Sequence, residues 1–357
     1  MNASVTAVVV NWNGKAFLPA CLRSLAAEPL VAATLVVDNG SSDGSPELVA
    51  RDFPRVRLLR NPQNNYAAAN NLAVAAAVTE FVLLLNTDAE LEPGAVARLV
   101  QVLHERRELA GVMPKILFPD GGMLYSTGVV DLGGLHWADR DLGQQDRGQR
   151  DAPDEQPALS GCCALYRRQA WQDAGGLDAD FHMYYEDVEF GHRLRARGWK
   201  LGYVPAARVR HIGHASIDQV GQGAKDPLGE RNRLLVIARH YRAHFGRELL
   251  RSPWFQGVPA AEVENFLPVL ARHLGQDGAA ALVTIVLHLR DELRLLLGEY
   301  EPEFGRGANL LQILREREGW IATLLREVAR LRIWRLPGRR LKPAEQAFLQ
   351  RMAREGR

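Results

Sequence analysis

The residues of this chain that could do chemistry are carboxylates standing where strands end or helices begin. Asp38 closes the apolar run 34–37 and opens the polar loop Asp38-Asn39-Gly40-Ser41-Ser42-Asp43-Gly44. A carboxylate there can accept hydrogen bonds from a ribose hydroxyl or from the imino N–H of a pyrimidine, and the glycines free the loop to fold around a base. It could equally cap backbone N–H groups of its own turn. Asn86-Thr87-Asp88 follows the apolar run 81–85. Asp88 can hold a divalent cation against a diphosphate, because magnesium and manganese keep water and substrate oxygens among their ligands. Capping the helix that Pro93 opens is the alternative. Glu186-Asp187, with Glu189, begin a helical stretch where the dipole favours anions. A general base that takes a proton from an acceptor hydroxyl suits that place, and so does a helix cap. His211 and His214 follow the run 201–209. Either imidazole could complete a metal site begun by Asp88, or be a hydrogen-bonded structural histidine.

These groups act together only if the fold brings them together, and the pattern of elements says that it does. Residues 5–10, 34–37, 56–59 and 81–85 are short apolar runs of the kind that form fully buried strands. Between them lie helical stretches at 15–27, after Pro46, and at 66–78, and Pro93 opens another. Such alternation predicts a mostly parallel sheet flanked by helices, with ligands bound beyond the carboxyl ends of its strands. Asn11, Asp38 and Asp88 all sit at such ends. Further on, Pro119-Asp120-Gly121-Gly122 reads as a turn, 139–157 as a polar mobile loop, 187–197 as a helix and 201–209 as a strand. From Arg231 the chain reads as helical nearly to its end. The expected division is a catalytic domain at 1–224, with a nucleotide-sugar half at about 1–110 and an acceptor half at about 111–224, then a helical C-terminal region at 225–357.

Composition excludes some classes. A net charge of +2 over 357 residues is not that of a nucleic-acid-binding polycation, so no nucleic-acid partner is expected. Residues 326–357 hold ten basic and three acidic residues, a local +7 that leaves −5 for the rest. Leu324, Leu325, Val328, Leu331 and Trp334 fall near helical spacing among arginines there, which suits an anionic membrane surface, packing on the catalytic domain or a homo-oligomer contact. The three cysteines, Cys21, Cys162 and Cys163, have no zinc spacing and read as buried thiols. No leader peptide and no apolar span of about 18 residues is evident, so a cytoplasmic protein, at most peripheral at the inner membrane face, is expected.

The motifs in order are Val8-Val9-Val10-Asn11-Trp12-Asn13-Gly14, Val36-Val37-Asp38-Asn39-Gly40-Ser41-Ser42-Asp43-Gly44, Leu84-Leu85-Asn86-Thr87-Asp88, Ser160-Gly161-Cys162-Cys163-Ala164, Gly175-Gly176-Leu177-Asp178, Tyr185-Glu186-Asp187-Val188-Glu189 and His211. Together they resemble the family 2 glycosyltransferases, especially the rhamnosyltransferase-like branch, from about residue 4 to about residue 240. The resemblance implies a GT-A fold and inversion at the sugar. It implies Asp38 on the nucleobase and Asp88 on a divalent metal, Mg or Mn, with His211 joining it. Asp187, beside Glu186, would be the base, and Val9, Asn11, Asn71, Asn86 and Thr87 would contribute to the nucleotide-sugar pocket. The donor would be a UDP- or dTDP-sugar such as dTDP-rhamnose. The acceptor would be a saccharide or lipid-linked hydroxyl in cell-surface polysaccharide or glycolipid synthesis. Two positions depart from the pattern. Asn86 stands where the first acid of Asp-x-Asp is usual, and Asn65 precedes Tyr66 where relatives often have glycine, a place where asparagine can keep a left-handed turn. The rival readings are a non-catalytic nucleotide-sugar-binding protein of the same fold and a nucleotidyltransferase.

Overall fold

The run of aliphatic residues at Val5–Asn11 becomes the strand β1, buried along almost its whole length, as an interior strand of a covered sheet must be. The structure is a computed structural model that describes residues 5–213 and 225–241, and scattered residues between 244 and 273. After β1 come α1 (Leu18–Ala26), β2 (Val31–Asp38), α2 (Ser45–Asp52), β3 (Arg57–Arg60), α3 (Tyr66–Ala76), β4 (Phe81–Leu85), β5 (Ala89–Leu91) and α4 (Ala95–Glu105). Then follow β6 (Leu109–Leu117), β7 (Leu124–Ser126), β8 (Val129–Asp131), β9 (Trp137–Asp139), β10 (Cys163–Arg167), α5 (Arg168–Ala174), α6 (Glu186–Ala196), β11 (Lys200–His211) and α7 (Lys225–His240). By internal packing the chain divides into two units, Met1–Asn232 and Arg233–Arg357. In the second unit, Arg233 pairs with Glu248 at 3.2 Å, and Trp254 meets Phe266 edge to face.

The main sheet of the first unit runs β3-β2-β1-β4-β10-β6-β11-β5, with β7 on β6. β3, β2, β1 and β4 are parallel, as the alternation predicts. The second half is mixed: β10 is antiparallel to both β4 and β6, β6 and β11 are parallel, and β5 is antiparallel to β11. The mixed half was not visible in the alternation because β5 has only three residues and β10 arrives after a long insertion. Helix faces supply the cover. Leu18, Cys21, Leu22 and Leu25 of α1 are buried at helical spacing, as are Val96, Leu99, Val100 and Leu103 of α4.

Two expectations change. Asn65 is not left-handed: at φ −133° it is the extended N-cap of α3, and its side-chain oxygen accepts from the Ala68 N–H. Residues 139–157 are not a loose loop. The Lys115 ammonium, wholly buried on β6, sits 3.0 Å from Asp146 and 2.6 Å from Asp151. Arg140 pairs with Asp154 at 2.6 Å, Arg150 with Asp141 at 2.7 Å, and the Tyr203 N–H donates to Asp154 O. The charges that made the segment look solvated bind each other and one buried lysine, which composition does not reveal. His214, the amphipathic stretch 324–335 and the basic stretch 326–357 lie outside the described residues. Among those described, no helix is long and apolar enough to cross a membrane.

Replacing Lys115 by Ala leaves Asp146 facing the sheet without its cation. By chemical denaturation the variant should lose about 2 kcal/mol or more of stability. A loss below about 0.5 kcal/mol, the range of an ordinary surface substitution, would mean the lysine does not anchor this segment.

Candidate active site at the carboxyl edge of the sheet

The parallel register sets Asn11 directly opposite Asp38 at the ends of β1 and β2. Asn11 is buried, and its amide nitrogen donates to Asp38 Oδ1 (3.2 Å), Ser41 Oγ (3.0 Å) and Ser45 Oγ (2.8 Å). Its oxygen accepts from the Gly14 N–H at 3.2 Å. One side chain thus ties the loop after β1 to the loop after β2. Ser42 N donates to Asn13 Oδ1 and Lys15 N to Asp43 Oδ2, both at 2.8 Å, which closes the same seam. Asp38 also accepts from the Ser41 N–H (3.3 Å), so the turn-capping reading is partly met. Thr87 joins the cluster by donating to Val10 O at 2.7 Å. Gly14 is required by this approach, since a Cβ there would stand 2.5 Å from the Thr87 methyl and 2.6 Å from Asn11 Oδ1. Val9 is buried within the β1–β2 ladder, paired with Val36.

Asp88 and His211 lie 123 residues apart in sequence and are joined by the antiparallel pairing of β5 with β11, where His211 faces Ala89. The Ile212 N–H donates to Asp88 O, and His211 Nε2 lies 3.1 Å from Asp88 Oδ1. The helix-capping alternative for Asp88 is taken by another residue. The buried Glu28 carboxylate accepts from Gly94 N (2.7 Å) and Val96 N (3.2 Å) at the start of α4. His211 Nδ1 is buried without a hydrogen-bond partner beside the edge-to-face Tyr125 ring at 4.4 Å. A buried orphan of this kind calls for an explanation. One carboxylate oxygen and one imidazole nitrogen facing each other form a donor set that fits a divalent cation taking its other ligands from water and substrate.

Glu186 and Asp187 open α6. Asp187 Oδ2 accepts from the Gly161 N–H at 2.9 Å, and Oδ1 from its neighbour Val188 N at 2.7 Å. Gly161 belongs to the segment that leads into β10, and its next residue closes the circuit: Asn86 N donates to Cys162 O at 2.9 Å. Tyr66 OH bridges the same place, donating to Gly161 O (2.8 Å) and approaching Asn86 Oδ1 (3.4 Å). The end of β4, which carries Asn86 to Asp88, is therefore two hydrogen bonds from the Asp187 carboxylate. Asp187 is half-buried at the first turn of α6. Burial first and Asp139 second push Asp187 up to about 6, against its backbone hydrogen bonds. Glu186 is driven well above the usual carboxylate range by burial and by Asp187, and its Oε2 is buried without a partner. The pair therefore splits into a neutral acid and a group that ionises near neutrality.

Asn71 does not join these clusters through any contact seen. Its amide donates to Leu177 O (2.6 Å) and accepts from Leu177 N (2.9 Å), a two-point clamp on the backbone before Asp178. Sequence reasoning missed Tyr66, Tyr125 and Asp139. Asp139 was hidden in the segment read as a loop, and Tyr125 sits on the short β7.

A family model described as Glycosyl transferase family 2 matches residues 6–175. That span includes Asp38 and Asp88 but stops short of Asp187 and His211. The chain is 34% identical over 211 residues to the Mycobacterium tuberculosis N-acetylglucosaminyl-diphospho-decaprenol L-rhamnosyltransferase, covering 53% of this chain and 68% of that one. It is 31% identical over 195 residues to the O-antigen biosynthesis protein RfbC of Myxococcus xanthus, covering 51% of this chain and 15% of that one. Among solved structures it is similar in fold to GalNAc-T7 with UDP, GalNAc and Mn2+, with a TM-score of 0.56 and 18% identity over 75% of this chain and 54% of that one.

The raised Asp187 has a consequence for stability. Between 3.8 and about 6 the folded chain holds a proton that the unfolded chain has released. The contribution of this group is full below about pH 4 and is lost as pH rises through about 6. Asp187→Asn should therefore be more stable than the parent near neutral pH by about 1–2 kcal/mol, a figure already reduced for partial solvent access. Its stability should also fall less between about pH 4 and pH 7. Denaturation curves across that window check this, and an unchanged slope would contradict the raised ionisation.

Proposed function

The chain belongs to glycosyl transferase family 2 and has the GT-A fold, and from that premise we propose that it moves a sugar from a nucleoside-diphosphate donor to a hydroxyl acceptor with inversion, using Asp187 as the base. The observation that supports this reading is the short link from Asn86 through Cys162 and Gly161 to Asp187, which holds that carboxylate at the same edge as the Asp88 strand end. In the step, the acceptor oxygen attacks the anomeric carbon while its proton passes to Asp187 Oδ. The bond from that carbon to the diphosphate oxygen breaks, and the nucleoside diphosphate leaves with the electron pair. Asp38 holds the base: each of its oxygens accepts one bond within the protein, and a carboxylate has lone pairs left for an imino N–H. A divalent cation held by Asp88 and His211 would neutralise charge on the diphosphate. Glu186, kept protonated, adds no second negative charge beside the base.

The Mycobacterium relative named for a rhamnosyl transfer to a diphospho-decaprenol acceptor supports a dTDP-sugar donor and a lipid-linked saccharide acceptor for this chain. The basic stretch 326–357 fits an acceptor carrying a diphosphate at an anionic membrane surface.

A panel of UDP- and dTDP-sugars with Mg or Mn tests the reading. Turnover of at least one donor is expected, with kcat/KM falling as pH drops below about 6, where Asp187 takes up its proton. Asp187→Asn should bind dTDP or UDP like the parent and lose about 100-fold or more in kcat. Full activity in that variant would remove Asp187 from the role of base.

A further inference from the structure

The chain enters the Glu186-Asp187 pair through backbone that bulky residues resist. His182, Tyr184 and Tyr185 have φ of 60°, 71° and 64°, so three of the four residues before Glu186 are left-handed and none is glycine. Such a turn persists only where its surroundings over-determine it. It also turns successive carbonyls in one direction, and buried carbonyls need donors.

One side chain supplies them. Asn232 of α7 is wholly buried, and its amide nitrogen lies 2.7 Å from Phe181 O, 2.9 Å from Met183 O and 2.8 Å from Tyr184 O. Two hydrogens serve three acceptors, so one is shared. The amide orientation is unambiguous, since carbonyls only accept and the Arg231 guanidinium only donates. Arg231 Nη1 donates to Asn232 Oδ1 at 2.6 Å and to Asp180 O at 3.1 Å. On its other side the turn is tied to α3, where Ala67 N donates to His182 O and Asn65 Nδ2 to Ala179 O. No contact of Asn232 with the Asp38 or Asp88 clusters is seen.

We propose that Asn232, oriented by Arg231, is a positioning residue for Asp187: it holds the left-handed turn at 182–185 and so sets where the base stands at the first turn of α6. The proposal rests on the reading of Asp187 as the base. A carboxylate shifted by about 1 Å from the acceptor hydroxyl loses much of its rate without losing the donor.

The test uses the full chain with Asn232→Ala, Asn232→Asp and Asn232→Gln. Ala removes the donors, Asp replaces them with a charge that repels the carbonyls, and Gln restores an amide on a longer stem. For Ala and Asp, kcat should fall by about 100-fold while dTDP and UDP affinity stays within about twofold of the parent. Amide hydrogen exchange at residues 184–188 should quicken while that of β1 and β2 holds. Gln should recover part of both losses, and it keeps the question answerable should Asp fail to fold. Nucleotide affinity falling in step with kcat would mean general loss of structure and overturn the proposal, as would unchanged kcat with or without faster exchange. Asp187→Asn assayed alongside separates the two claims. Full turnover there removes the base and the proposal with it. An inactive Asp187→Asn beside a fully active Asn232→Ala removes the positioning role alone.

Discussion

The link between the Asp88 strand end and Asp187 depends on β10 entering the sheet antiparallel between β4 and β6. The parallel strands alone would leave Asn11, Asp38 and Asp88 at one edge with nothing opposite them. The insertion of β10 brings Gly161-Cys162 to the end of β4, where Cys162 O accepts from Asn86 N and Gly161 N donates to Asp187. A charged group at a helix start is thereby fixed to the strand end that carries Asp88. Gly161 lies against both carboxylates: a Cβ built on it would stand in ordinary van der Waals contact with Glu186 Oε1 (3.4 Å) and Asp187 Oδ2 (3.6 Å).

The electrostatics follow from that packing. Two adjacent carboxylates at a buried helix start cannot both ionise without a large penalty, and the environment breaks the tie. Asp187 receives two backbone N–H groups and keeps some solvent access, whereas Glu186 Oε2 is buried with no partner. The proton therefore stays on Glu186. At the other end of the site, Asp88 meets an imidazole rather than a second acid, in keeping with Asn86 where an acid is usual. In the proposed metal site, His211, which the β5–β11 pairing brings to Asp88, would offset the negative charge missing at position 86.

Much of this was legible in the sequence because strand ends are marked by composition. Apolar runs stop at Asn11, Asp38 and Asn86, and the parallel order of four strands follows from their alternation with helices. The residues alone left His211 and His214 both open as partners of Asp88, and only the family resemblance chose His211, because the meeting depends on a three-residue strand too short to carry a pattern. Asn65 was misjudged because its choice between left-handed turn and N-cap depends on the Ala68 N–H and the Ala179 carbonyl. Asn71, named for the pocket through the resemblance, has its amide bonded to the backbone of Leu177, a contact that the sequence does not announce. Residues 139–157 looked mobile because pairing between charges and a buried Lys115 leaves no trace in hydropathy. Asn232 had no signal at all, being one amide in a helix of charged and apolar residues.

The central claim is that one ionised carboxylate at the edge of the sheet drives a single displacement at the anomeric carbon. The anomeric configuration of the first glycoside formed, read by NMR against that of the donor, tests it most directly. The account predicts inversion. A product that retains the donor configuration would require a second displacement or a different path, and would contradict it.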